Sequence, residues 1–299
     1  MAKKSGGTLS ATSRQLKTTV KLPSVWLLTR ETAYILWQHK KLFFGITLVY
    51  GLLNLVLVQS SVGSTDISSV KDALSQAAHG HFGNLAVGLG VFASLLSSGS
   101  NSSNTGASAY QLILFIIASL AVIWALRQLL GGFKVGVKDA YYQGMYPFVP
   151  FVLVLAVIGL ELIPLLVGSA LYQIVVGNGI AVHPVERLFW ALLYFVLAVL
   201  SLYMISSSVF ALYIVTLQDM APVKALRSAR DLVRGRRWAV LRKILYLPLL
   251  MLVAASIIML PVILWLTALA QWVFFVLTML ALVAAHTYLY ALYRELLNE

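Results

Sequence analysis

The chain has 299 residues, of which 60% are hydrophobic and 11% charged, with a mean hydropathy of +0.89 and a formal charge of +12. A soluble domain carries about 25% charged residues, so this chain cannot dress a water-exposed surface and belongs in a bilayer, where apolar side chains face outward. The absence of cysteine excludes disulfides and thiolate metal sites, and in such a chain the excess of cations points to lipid headgroups and topology before nucleic acid.

Residues 1–23, MAKKSGGTLSATSRQLKTTVKLP, are polar and basic. No apolar signal-type region follows closely, and Met1 is followed by Ala2 rather than glycine. The segment is expected to be a flexible cytoplasmic tail without a lipid anchor. Residues 24–299 are expected to form a single membrane domain. Apolar runs occur at about 43–59, 110–130, 148–170, 188–217, 244–266 and 271–293. Most reach the roughly 20 residues that cross a bilayer, which predicts six transmembrane helices. The last two runs are continuous, too long for one helix across about 30 Å of hydrocarbon. The fold-back is expected near Thr267–Gln271, with Trp272 at the outer interface.

An even number of spans places both termini on one side. Of the 22 Lys and Arg residues, 20 then share that side, and only Lys71 and Arg187 fall opposite. The basic side is expected to be cytoplasmic, in a prokaryotic cell membrane. Opposite it lie a short loop at 177–186 and a long one at about 60–109, rich in Ser, Gly and Asn. Loops of that length inside a compact protein are functional or disordered. Leu85–Leu96 is too short to span and is expected on the outer interface or dipping into the bundle. His79 and His81 lack a third ligand, so no metal site is expected there.

Each outward span is preceded by a similar segment. These are VWLLTRETAYILWQHKKLFFGI, VGVKDAYYQGMYPFVPFVLVL and VKALRSARDLVRGRRWAVLRKIL. The pattern predicts three units, each an interfacial elbow helix followed by an out-and-back hairpin. In the third, Val223, Leu226, Ala229, Leu232 and Val233 recur at helical spacing, and Lys224, Arg227, Arg230, Asp231 and Arg234 occupy much of the rest. Pro222 suits the first turn and Gly235 the stop. Arg236, Arg237 and Trp238 then mark the headgroup layer. The expected fold is all-α and polytopic: six transmembrane helices as three hairpins with cytoplasmic interfacial elbow helices.

The stretch PVKALRSARDLVRGRRWAVLRK at 222–243, after an apolar helix ending VTLQDM, resembles the inner loop of the glycerophosphoryl diester phosphodiesterase membrane-domain group. It is also similar to the YciC-like and DUF975-like integral membrane families. Their AL-x-x-S segment corresponds here to Ala225, Leu226 and Ser228, with the basic and aromatic residues Arg234 to Trp238 after it. The resemblance implies a helical membrane domain without chemistry of its own, since catalysis in the full-length relatives belongs to a separate soluble domain.

Two intramembrane residues stand out. Glu161, in LAVIGLELIPLLVG, is the one acid well inside an expected span, with Pro164 nearby to break the helix. His286, in LVAAHTYLY, is the one histidine inside a span. Together they would be able to relay protons or coordinate a cation; apart, each is a polar residue satisfied within the bundle. At 1.5 Å per residue Glu161 falls in the outer half and His286 in the inner half. Ser201, Ser206–Ser208 and Asn54 are expected to let helices approach or to hydrogen-bond across the bundle. Gly131-Gly132-Phe133-Lys134 lacks the spacing of a phosphate loop.

These features predict neither catalytic residues nor a cofactor. The leading expectation is a membrane-organising, lipid-interacting or partner-scaffolding domain. Its interface would be Arg227, Arg230, Arg234, Arg236, Arg237 and Trp238, and its partners anionic headgroups or a cytoplasmic protein rather than nucleic acid. The alternative is a transporter of ions or small solutes using Glu161. A membrane-embedded enzyme, the third class, would need converging titratable groups that this sequence scarcely offers.

Overall fold

The computed structural model describes residues 24–58, 105–181, 183–217, 220–265 and 267–297. The tail at 1–23, the histidines 79 and 81, Leu85–Leu96 and nearly all of the 60–109 loop lie outside them. Every regular element among the described residues is helical, and six helical stretches are long and apolar enough to cross a membrane. The chain is a multi-pass integral membrane protein.

The helices fall into three consecutive units. The first is an elbow α1 (Val25–Gln38), an outgoing helix α2 (Lys40–Leu57) and a return helix α3 (Thr105–Leu130). The second begins with elbow α4 (Val137–Gly144). Its outgoing helix is broken into α5 (Phe148–Glu161) and α6 (Ile163–Tyr172), and its return into α7 (Pro184–Ser208) and the short α8 (Ala211–Ile214). The third is elbow α9 (Pro222–Val233), outgoing α10 (Arg237–Trp265) and return α11 (Thr267–Leu297).

The units close into a ring. Elbow α4 packs on α3, elbow α9 on α7 and α8, and elbow α1 on α11. Each elbow thus lies on the return helix of the unit before it, and the first lies on the last. The outgoing helices obey the same rule: α5 meets α3, α10 meets α7, and α2 meets α11. All three elbows gather at one end of the bundle, called here the basic end.

Side-chain register repeats with the topology. In each elbow the residues three and seven positions after the first helical residue are buried: Leu28 and Thr32, Ala140 and Gly144, Ala225 and Ala229. In each outgoing helix the residues three, six and ten positions after the first are buried: Phe43, Ile46 and Tyr50; Phe151, Val154 and Ile158; Val240, Lys243 and Leu247. These spacings trace one helix face. Lys243 stands where the other units carry an aliphatic residue.

One core joins all three units at the basic end. It contains Leu28 and Ile35 of α1, Ala140 of α4, and Ala225, Ala229 and Val233 of α9, together with α2, α3, α5, α8, α10 and α11. Smaller clusters continue toward the other end, one around Tyr50, Leu114 and Met279 and one around Met259 and Ala270. Lipid tails are as apolar as leucine, so close packing rather than escape from water holds such helices together. Gly144 illustrates it. A Cβ there would stand 3.1 Å from the Ala121 Cα and the Leu120 carbonyl oxygen, so α4 lies directly against the α3 backbone.

Three expectations are corrected. The buried stripe of the third elbow is Ala225, Ala229 and Val233, whereas Val223 is 68% exposed. Small side chains allow the elbow to dock into the bundle, and Val223 is left facing out. The last helix, α11, begins at Thr267, so Thr267–Gln271 are helical rather than the fold-back. Finally, α10 begins at Arg237, ahead of the apolar run expected from about 244, so Arg237, Trp238, Arg242 and Lys243 are already helical residues.

Candidate functional site

The outgoing helix of the second unit breaks at Leu162. Pro164 lies in the first turn of α6 and brings no amide to the carbonyl of Leu160, which ends α5 one turn earlier. Glu161 is the last residue of α5 and is 5% exposed. The return helix runs beside it: Ser201 donates to the Glu161 main-chain carbonyl at 2.7 Å, and Ser208 donates to Glu161 Oε1 at 2.6 Å. Glu161 Oε2 is buried without a hydrogen-bond partner.

The nearest cation comes from the elbow. The Arg230 guanidinium on α9 lies 3.9 Å from Glu161 Oε1, and its side chain is 55% exposed. Glu161 therefore faces the elbow at the basic end, not the outer half. Residue counting misplaced it because the broken helix runs on to Gly177, well past the expected end of the span. His286 belongs elsewhere. Its Nδ1 is 3.1 Å from the Tyr213 hydroxyl, beside a cluster in which Tyr213 stacks on Tyr293. Glu161 and His286 thus take separate partners.

The other expected interface residues divide by role. Arg227 and Arg234 are exposed, as is Trp238. Arg237 lies 4.9 Å from the centre of the Tyr203 ring on α7, a cation–π contact that fixes the start of α10 to the preceding return helix. Arg236 is partly buried. The other elbows also turn aromatic residues outward: Trp26, Tyr34 and Trp37 on α1, and Tyr142 and Tyr146 on and after α4. Such rings suit the headgroup layer of a membrane.

Several polar residues serve the scaffold. Arg127, near the end of α3, donates to the carbonyls of Tyr213 at 3.0 Å and Thr216 at 2.5 Å, and to Thr216 Oγ1 at 2.6 Å. A guanidinium thereby caps the C-terminal end of α8, where the helix dipole is negative. The Tyr141 hydroxyl on α4 donates to the Ile46 carbonyl of α2 at 2.9 Å, and burial pushes its phenol up from the ordinary value. Gly132, with φ +83°, ends α3: its amide bonds to the Leu129 carbonyl and that of Phe133 to the Gln128 carbonyl. The Gly131–Lys134 stretch is a helix stop. Ser206 and Ser207 bond back to carbonyls of their own helix, and Asn54 is buried with its Nδ2 unpartnered.

Sequence reasoning did not find the Arg127 cap or the Ser208–Glu161 bond. Both join residues more than forty positions apart, and nothing local announces either. Among the described residues no three His, Asp or Glu side chains gather to hold a metal ion. Neither a family model, nor a curated protein, nor a solved structure matches this chain.

Proposed function

We propose that this protein is a non-enzymatic platform that gathers anionic lipid headgroups, or a partner protein carrying acidic groups, at the cytoplasmic face of the cell membrane. One observation carries the reading. Elbow α9 buries Ala225, Ala229 and Val233 in the core while Lys224, Arg227, Arg230 and Arg234 stay exposed. A helix held rigidly at the basic end presents its cations in fixed positions, which raises the local potential felt by an anionic surface. The distribution of Lys and Arg supports a cytoplasmic orientation for this end. The resemblance of residues 222–243 to membrane domains without chemistry of their own agrees with a non-catalytic role.

The test is native mass spectrometry of the full chain from nanodiscs of mixed phosphatidylglycerol and phosphatidylcholine. Retained lipid should be enriched in the anionic species, and the Arg227→Ala, Arg230→Ala, Arg234→Ala variant should lose most of that enrichment. Equal retention of both lipids by the native chain would sink the reading.

A second reading, transport of an ion or small solute, is favoured by Glu161, a buried carboxylate with one open oxygen at a helix break. Discontinuous helices of this kind line the midplane sites of many transporters. Its test is flux into proteoliposomes, with Glu161→Gln as the control.

A further inference from the structure

We propose that Glu161 and Ser208 anchor a binding site for a small monovalent cation, and that this cation competes with the Arg230 guanidinium for the same carboxylate. The proposal deepens the transport reading and rests on it only for movement across the bilayer; binding is tested without flux.

The donor set is made of hard oxygens. Oε1 accepts from Ser208, and Oε2 is buried with its lone pairs unused. The Glu161 main-chain oxygen, which accepts one hydrogen bond from Ser201, lies at the same break. Oxygen donors of this type suit alkali cations rather than softer metals. A single carboxylate supplies one negative charge, which matches a monovalent cation.

Arg230 fills the electrostatic role incompletely. At 3.9 Å it sits at the limit of an ion pair, and its side chain is half exposed. It also approaches Oε1, the oxygen already engaged by Ser208, and leaves Oε2 open. A cation entering at Oε2 brings a second positive charge beside the guanidinium. Repulsion then frees Arg230 toward the headgroup layer. Occupancy of the intramembrane site is thereby coupled to the charge that α9 presents at the surface, because Arg230 takes part in both.

The experiment is a Na⁺ titration of the full chain in nanodiscs, with choline replacing Na⁺ at constant ionic strength and pH. Hydrogen exchange of residues 222–233 is the readout. The native chain should show a saturable, Na⁺-specific change in exchange. Arg230→Gln removes the competitor and should lower the Na⁺ midpoint by about threefold to fivefold, the scale of a half-exposed ion pair. Ser208→Ala should raise the midpoint, and Glu161→Gln should abolish the response. The proposal is overturned by a native response no larger than that to choline, by a response that survives Glu161→Gln, or by an unchanged midpoint in Arg230→Gln. If Glu161→Gln does not fold, Arg230→Gln and Ser208→Ala, which keep the carboxylate, still decide the matter. Binding without flux would end the transport reading and leave the site standing; flux without a Na⁺ response would end the site alone.

Discussion

Ala229→Leu separates a docked elbow from one that merely rests on the bilayer. Ala229 is 0% exposed, at the centre of the buried stripe of α9. Leucine adds three carbon atoms. If this face lay in lipid, the substitution would strengthen membrane contact by about 2 kcal/mol, at roughly 0.8 kcal/mol per buried carbon. In a packed core the same atoms have nowhere to go, and overpacking costs about 1–3 kcal/mol. The two geometries therefore predict opposite signs, separated by roughly 3–5 kcal/mol. The assay is reversible unfolding in bicelles by added denaturing detergent, followed by circular dichroism. Val223→Leu, at a position 68% exposed, is the control and should shift stability by less than about 0.5 kcal/mol. A more stable or unchanged Ala229→Leu would refute the docked geometry.

Other outcomes follow from single contacts. Gly144→Ala should destabilise by about 1–2 kcal/mol in a nanodisc melt despite the better helix propensity of alanine, because its Cβ meets the α3 backbone. Gly159→Ala, with nothing within 4 Å of its Cβ, should be neutral or stabilising. Arg127→Met removes the charged hydrogen bonds to the Tyr213 and Thr216 carbonyls and to Thr216 Oγ1 and should cost about 2–3 kcal/mol in detergent unfolding. Tyr141→Phe removes the bond to Ile46 and should cost about 1 kcal/mol near neutral pH. The raised folded pKa of Tyr141 adds a pH signature: the unfolded phenol ionises near its ordinary 10.0 while the folded one stays neutral. That contribution is fully present below pH 10 and lost as pH rises beyond it. The gap between the native chain and Tyr141→Phe should thus narrow in alkaline unfolding titrations.

Hydropathy alone located the spans, and charge and capping signals located the elbows. Pro222 opens α9, and Gly235, at φ +83°, follows its end. The elbow's buried face was not legible. A hydrophobicity scale ranks Val223 above Ala225, but the small residue is the one that permits close approach to a neighbouring helix. Nor was the depth of Glu161. Counting from the helix end assumes that a span stops at the membrane boundary, and here the helix continues to Gly177. The partners Ser208 and Arg230 arrive from other helices, through a ring closure that no local pattern encodes. The repeat was visible at the level of segments, but its register was not. Matching the Val-Lys pairs at 137–138 and 223–224 sets Val137 against Val223, whereas burial sets Val137 against Pro222 and Ala140 against Ala225.

The central claim is that the elbows are part of the core and present their cations from fixed positions. The native chain has no cysteine, so single cysteines report cleanly. They are placed in turn at 224, 225, 227, 228 and 229 of the full chain in nanodiscs, and reaction with a membrane-impermeant maleimide is timed. Positions 224, 227 and 228 should react freely. Positions 225 and 229 should react at least about a hundredfold more slowly, the rate set by local opening of the elbow. Similar rates at all five positions, or fast reaction at 225 and 229, would contradict the account.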